Sequence, residues 1–144
     1  MVVVIDKAEP REIEDVQSLL TGHGLPLDGL SDHVATLLVA RRDGRIVGSA
    51  ALEIYPDGAL LRSVAVAPSA QRRGLGHDLT EAALRMAQEK GLPAVYPLKT
   101  TAERFFPRLG FERIDRGEVP ASVQASVEFT SACPSSAVVM RKTL

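Results

Sequence analysis

Residues 60–76, Leu-Leu-Arg-Ser-Val-Ala-Val-Ala-Pro-Ser-Ala-Gln-Arg-Arg-Gly-Leu-Gly, constrain the fold more than any other stretch of the chain. An apolar run of strand character, Leu60 to Val66, ends at Pro68. Gln71 to Gly76 follows at once and opens an amphipathic helix, whose buried stripe is Leu75, Leu79, Ala82, Ala83 and Met86. A strand that hands a glycine-bearing loop to a helix N-terminus builds an anion site. Backbone N–H groups point outward there, and the helix dipole favours negative charge. Gly74 and Gly76 let the backbone close on a bulky phosphate without Cβ obstruction. The remainder of the chain then reads as a scaffold for this junction.

The flanking segments supply the scaffold. Val2 to Ile5 is a short β-branched run, and Pro10 suits the first turn of a helix carrying Ile13, Val16, Leu19 and Leu20 at helical spacing. Gly22, Gly24, Pro26 and Gly29 break that helix into a mobile segment reaching about Ser31. Such a segment either shapes a substrate entrance or is a plain connector. Leu37 to Ala40 and Ile46 to Tyr55 are strands joined across Asp43-Gly44, a two-residue hairpin signal. Pro56-Asp57-Gly58 turns into the strand Ala59 to Val66, completing an antiparallel meander. After the long helix, Gly91 and Pro93 stop it, and Ala94 to Leu98 is a strand expected to run parallel to Val64–Val66 through a right-handed crossover. A short helix over Thr101–Leu109, a strand from Phe111 to about Ile114, a helix over Val119–Phe129 and a terminal strand Ala137–Met140 complete a mixed α/β order around one sheet.

With 144 residues and a net charge of −1, the chain is expected to be a single domain over residues 1–144. It shows no basic nucleic-acid surface, no transmembrane run and no signal peptide. The lone Cys133 excludes an internal disulfide, and His23, His33 and His77 are scattered without zinc spacing. The expectation is a soluble, cytoplasmic, metal-free domain with no nucleic-acid or membrane partner.

The glycine loop is not a P-loop, because no Lys-Ser/Thr follows Gly76. It is not a dinucleotide fingerprint either, because no third glycine stands near Leu79. The pattern Gln71-Arg72-Arg73-Gly74-Leu75-Gly76 after a strand resembles the acetyl-CoA-binding motif of the GCN5-related N-acetyltransferases, the GNAT superfamily. Val64-Ala65-Val66-Ala67-Pro68 resembles that family's fourth strand and its closing proline. Phe105-Phe106-Pro107-Arg108-Leu109-Gly110-Phe111 resembles its late aromatic-x-x-Leu-Gly-Phe signature. The resemblance implies a GNAT fold, with a mixed central sheet of about seven strands, splayed between strands four and five and flanked by helices.

It further implies an acetyl-CoA-dependent N-acetyltransferase. Acetyl-CoA would enter the splay, with the backbone of Val64, Ala65 and Val66 pairing with pantetheine like an added strand. The loop Gln71, Arg72, Arg73, Gly74, Leu75, Gly76 and His77 would hold the pyrophosphate, and Thr100, Phe105, Phe106 and Arg108 would complete the cofactor contacts. The oxyanion donor would be a backbone N–H near Val64. The general acid usual in the family is a tyrosine at the position of Phe106, which cannot give a proton. That task passes to Thr100, a water or the amine itself. The substitution also leaves a second reading, a non-catalytic acyl-CoA-binding module.

Two charges stand out in apolar strands. Glu53, within Ala50-Ala51-Leu52-Glu53-Ile54, is the candidate base, since burial of a carboxyl raises its pKa into a useful range. Arg62 suits a bidentate grip on a substrate carboxylate, with Ser63 beside it. A Glu53–Arg62 ion pair is the competing explanation. A four-residue turn would set Glu53 opposite Arg62, and a three-residue turn opposite Leu61. The acceptor is then a small amine, such as an amino acid. The tail from Val119 to Pro134 resembles a subgroup linked to arsenic resistance, with distant similarity to amino-acid acetyltransferases of the glutamate type. Cys133 is either a contact for a soft ligand or a small packed residue. The family often pairs its terminal strand with a second chain, which would make a homodimer.

Overall fold

The computed structural model describes residues 3–24, 27, 30–71, 74–97, 106–124 and 139–144. Strands β1 (Val3–Lys7), β2 (Leu37–Arg42), β3 (Arg45–Tyr55), β4 (Gly58–Val66), β5 (Ala94–Pro97), β6 (Glu112–Ile114) and β7 (Val139–Thr143) form a seven-stranded sheet, in the order β1-β2-β3-β4-β5-β7-β6. Helices α1 (Ile13–Gly22) and α2 (Leu75–Glu89) cover opposite faces, and a short α3 (Ala121–Gln124) joins the α1 side. Alternation along the central strands explains the layering. Leu52, Ala59 and Leu61 pack beneath α2 with Leu79, Ala83 and Ala87. Ala51 and Ala65 pack with Val16 and Leu20 of α1, while Leu60 packs with Tyr96, Val119 and Val123. Among the described residues, no helix is long and apolar enough to cross a membrane.

The Asp43-Gly44 hairpin forms as expected, with positive φ at both residues (53° and 78°), the requirement of a type I′ turn. The next turn is shorter than either length expected. Tyr55 pairs with Gly58, so the loop is Pro56-Asp57 alone and Glu53 faces Leu60. Gly58 joins the strand because β5 crosses close by. A Cβ there would stand 3.0 Å from both the Ala94 carbonyl oxygen and the Tyr96 ring.

Strand β5 also runs in a different place from that expected. It is parallel to β4, but Val95–Pro97 pairs with Ala59–Leu61 rather than with Val64–Val66. Just beyond this contact β4 bulges. Ala51 faces Arg62 and Ser49 faces Ala65, so Ala50 opposes two residues, Ser63 and Val64. Ser63 has φ 59°, in the left-handed region. The extra residue resets the alternation, so that Arg62 and Ala65 both lie on the α1 face. Among the described residues, β4 has no partner strand on its β5 side from Arg62 to Val66.

Other differences are local. A turn of 3₁₀ helix at Leu30–Thr36, anchored by the fully buried Leu30, follows α1 where only a break was expected. Its sequence has no helical periodicity to announce it. The expected helix over Thr101–Leu109 is described only at Phe106–Leu109, as a 3₁₀ turn, and the expected Val119–Phe129 helix only as α3. Val119 and Pro120 precede α3 without helical backbone, and the rest of both expected helices lies outside the described residues. The terminal strand β7 lies inside the sheet, with β5 on one side and β6 on the other.

Candidate active site

Helix α2 begins at Gly74, whose φ of 74° makes the sharp entry that a residue with a Cβ would resist. The first intrahelical bond is Asp78 N–H to the Gly74 carbonyl, 3.0 Å, so the N–H groups of Leu75, Gly76 and His77 have no partner within the helix. They edge a hollow of about 200 Å³ lined by Val66, Ala70, Gln71, Gly74, Leu75, Gly76 and His77. The His77 ring leans toward Asp78 and Glu81, at 3.7 and 4.0 Å, so its contribution to this hollow is its backbone. Arg72 and Arg73 lie outside the described residues.

The adjoining edge of β4 is held from two sides. Ala67 N–H donates to the Val47 carbonyl at 2.8 Å, so by antiparallel alternation the amide groups of Val66 turn away from β3. The Val66 carbonyl accepts from His23 Nε2 at 2.8 Å and from Gln71 Nε2 at 2.9 Å. The Gln71 side chain therefore ties the loop to the strand end. The other nitrogen of His23, Nδ1, stands 2.9 Å from the Leu19 carbonyl, which fixes the ring to the end of α1. At its other end α1 is anchored by Glu12, which takes two hydrogen bonds from Arg41, at 2.8 and 2.5 Å. Those bonds hold the Glu12 carboxyl down at about 2, from an ordinary 4.5.

On the α1 face, beside the bulge, a polar cluster is buried. Arg62 donates from Nη1 to Glu53 Oε2 at 2.9 Å and from Nε to Ser63 Oγ at 3.1 Å. Tyr55 OH donates to Glu53 Oε1 at 2.6 Å, and Ser49 Oγ to the Ser63 carbonyl at 2.6 Å. Glu53 is 2% exposed and Arg62 1%. The ion pair left open by the sequence is thus present, and the guanidinium is enclosed between Glu53 and Ser63. His33, on the Leu30–Thr36 turn, brings Nε2 to 3.7 Å from Glu53 Oε1.

The structure brings Glu53, Arg62 and Ser63 together, and sets Val64, Ala65 and Val66 along the edge leading from them to the α2 hollow. Val64 and Val66 are half-buried against the α2-side core, and Ala65 is buried against α1. Thr100, Phe105 and Cys133 lie outside the described residues. Phe106 begins a 3₁₀ turn, Arg108 is exposed, and Leu109 and Phe111 are buried under α2. Sequence reasoning did not find Tyr55, Ser49, His23 or His33 as partners in this region. The histidines have no metal spacing, and their contacts are made by elements far apart in the chain. Among the described residues, no group of three His, Cys, Asp or Glu side chains could hold a metal ion.

Residues 33–113 match the family described as "Acetyltransferase (GNAT) domain". The chain is 27% identical over 121 residues to an uncharacterized N-acetyltransferase of Chlorobaculum tepidum, covering 81% of this chain and 77% of that one. It is 36% identical over 81 residues to an amino-acid acetyltransferase of Mycobacterium tuberculosis, which spans 56% of this chain and only 46% of that protein. In structure it resembles N-acetylglutamate synthase of Neisseria gonorrhoeae complexed with coenzyme A and N-acetyl-glutamate. That likeness has a TM-score of 0.85 at 23% identity, over all of this chain and 35% of that one. A Mycobacterium tuberculosis protein solved with CoA and NLQ aligns with a TM-score of 0.83 at 25% identity, over 98% and 99% of the two chains.

Proposed function

The chain belongs to the GNAT acetyltransferase family, and on that premise we propose that it moves the acetyl group of acetyl-CoA to the amine of a small molecule, an amino acid or a close analogue. The observation that carries this is the continuity of two binding elements. The β4 edge, unpaired beyond Leu61 among the described residues, runs directly into the hollow at the α2 N-terminus. The N–H groups of Leu75, Gly76 and His77 would hold the pyrophosphate, and the edge at Val64–Val66 would take the pantetheine arm as an added strand. Each helix-end interaction contributes about 0.3–1 kcal/mol when exposed, so several convergent N–H groups are needed. Acetyl-CoA supplies the acetyl group as a thioester, and a backbone N–H beside the bulge, near Val64, would face the oxyanion.

An amino-acid acceptor is supported by the amino-acid acetyltransferase of Mycobacterium tuberculosis among the relatives. A carboxylate clamp by Arg62 would require its guanidinium to exchange Glu53 or Ser63 for the substrate. The link to arsenic resistance and a soft contact at Cys133 rest on the sequence resemblance of the tail. A homodimer would have to form through a surface other than the terminal strand, since β5 and β6 already flank β7.

The test is CoA release with a panel of amino acids, their amides, amines without a carboxylate and an amino-acid-like arsenical. Turnover restricted to carboxylate-bearing amines is expected. Equal rates with simple amines would remove the clamp. Acetyl-CoA binding without turnover on any amine would favour the second reading, a non-catalytic acyl-CoA-binding module, which Phe106 in the usual tyrosine position supports.

A further inference from the structure

We propose that His33 is a catalytic residue of this reaction, taking the proton of the acceptor amine, and that Glu53 acts through it as a positioning residue. The proposal rests on the N-acetyltransferase reading above. Its first support is access. A base must meet the incoming amine, and Glu53 and Arg62 are almost wholly enclosed, at 2% and 1% exposure. The His33 side chain is 24% exposed. Tyr55 is partly exposed as well, but its hydroxyl is spent on Glu53. His33 is thus the partly exposed member of the cluster with a basic nitrogen among the described residues.

Geometry is the second. His33 Nε2 stands 3.7 Å from Glu53 Oε1. The same carboxylate is fixed by Arg62 at Oε2 and by Tyr55 at Oε1. At 3.7 Å the His33 approach is a charge contact and not a hydrogen bond. A carboxylate held in place beside one ring nitrogen biases the imidazole's orientation, and the other nitrogen, Nδ1, is left to work as the base. Arg62 and Tyr55 are the other ionisable groups facing this carboxylate among the described residues. Arg62 keeps the Glu53 charge balanced when His33 is neutral. Tyr55 occupies a lone pair without adding charge.

The third support is placement. His33 sits at the kink of the Leu30–Thr36 turn, with φ −121° and ψ 24°. Thr36 Oγ1 donates to the Leu52 carbonyl, pinning that turn to β3, and lies 3.2 Å from the His33 carbonyl. From His33 the contacts run through Glu53 and Arg62 to Ser63, the residue that makes the β4 bulge. The imidazole therefore lies on the α1 face, linked through Glu53 and Arg62 to the bulge where the acetyl group is expected.

The proton balance closes without another reactant. An acceptor arriving as an ammonium ion gives one proton to His33 Nδ1. The freed nitrogen lone pair forms the new C–N bond to the acetyl carbon, and the C–S bond breaks with its electron pair on sulfur. The second surplus N–H proton goes to that sulfur, and His33 passes its proton to water. The sum is ammonium plus acetyl-CoA giving amide, CoA thiol and one proton released.

The experiment measures kcat, KM for both substrates and their pH dependence for the wild type, His33→Gln, His33→Ala and Glu53→Gln, with acetyl-CoA affinity and thermal unfolding alongside. The expected result is a loss of about a hundredfold or more in kcat for both His33 variants, with acetyl-CoA affinity and melting temperature kept. The dependence of kcat on pH seen in the wild type should disappear in His33→Gln, and added imidazole should restore part of the rate to His33→Ala. Glu53→Gln should lower kcat by less than the His33 variants do and keep a dependence of kcat on pH. Turnover by His33→Gln at the wild-type rate with the wild-type profile would overturn the role of His33 alone. No turnover by the wild type on any amine, with acetyl-CoA still bound, would overturn the transferase reading and the role of His33 with it.

Discussion

Glu53 meets Arg62 on the diagonal of the β3–β4 ladder. Leu60 stands directly opposite the glutamate, Ala51 opposite the arginine, and the two charges close at 2.9 Å across the gap. Diagonal neighbours on one face are within reach of long side chains, so the pair forms although the turn puts neither residue across from the other.

That pairing makes the two charges interdependent for stability. Arg62→Met should destabilise the fold by about 3–5 kcal/mol, because it leaves an uncompensated carboxylate in the interior. The double variant Arg62→Met/Glu53→Gln should recover much of that loss. Chemical denaturation of the two single variants and the double variant checks this. A double variant no more stable than Arg62→Met would mean that packing, and not charge balance, fixes the contact.

A second pair dictates the response to acid. The Glu12 carboxyl is lowered to about 2 in the folded protein by its hydrogen bonds from Arg41, against an ordinary 4.5. A lowered folded value means that the stabilisation is complete above the unfolded value and drains away as pH falls from about 4.5 toward about 2. The stabilisation is on the order of 2–3 kcal/mol. Melting curves at neutral pH and near pH 3 should converge for the wild type and Glu12→Gln as the solution is acidified. An unchanged gap would show that the pair does not carry the acid sensitivity.

The bulge offers a third test. Ser63 holds φ 59°, which costs a residue with a Cβ roughly 1–2 kcal/mol, and its Oγ accepts from Arg62. Ser63→Gly relieves the first and loses the second, so its stability should stay within about 1 kcal/mol of wild type. Ser63→Val loses both ways and adds a branched side chain that resists this backbone, costing about 2 kcal/mol or more. Acetyl-CoA affinity should follow the same order, which titration calorimetry can read.

Much of this architecture was legible because its signals are local. Asp43-Gly44 carries its turn type in two residues, and the Leu75–Met86 stripe repeats with the helix. Glu53 and Arg62 stood out because the strands around them are apolar. The bulge left no such mark. One extra residue in Leu-Leu-Arg-Ser-Val-Ala-Val changes neither composition nor apparent alternation, yet it puts Arg62 and Ala65 on the same face of the sheet. The length of the second turn was hidden for a related reason. Gly58 reads as a turn residue until the neighbouring β5 backbone is known to crowd it. The contacts of His23 with Val66 and of His33 with Glu53 are set by tertiary structure, and the first spans 43 residues.

The doubly bonded carbonyl of Val66 gives the β4 edge a polarity. A carbonyl oxygen has two lone pairs, and His23 and Gln71 occupy both. What remains on that side of Val66 is its N–H. A guest chain laid along the edge is therefore met by a donor at this point and refused an acceptor. It must arrive with an oxygen in register, and an arm carrying the same amide in reverse would set two N–H groups against each other. Two side chains outside the strand thus determine the direction in which a ligand can be threaded.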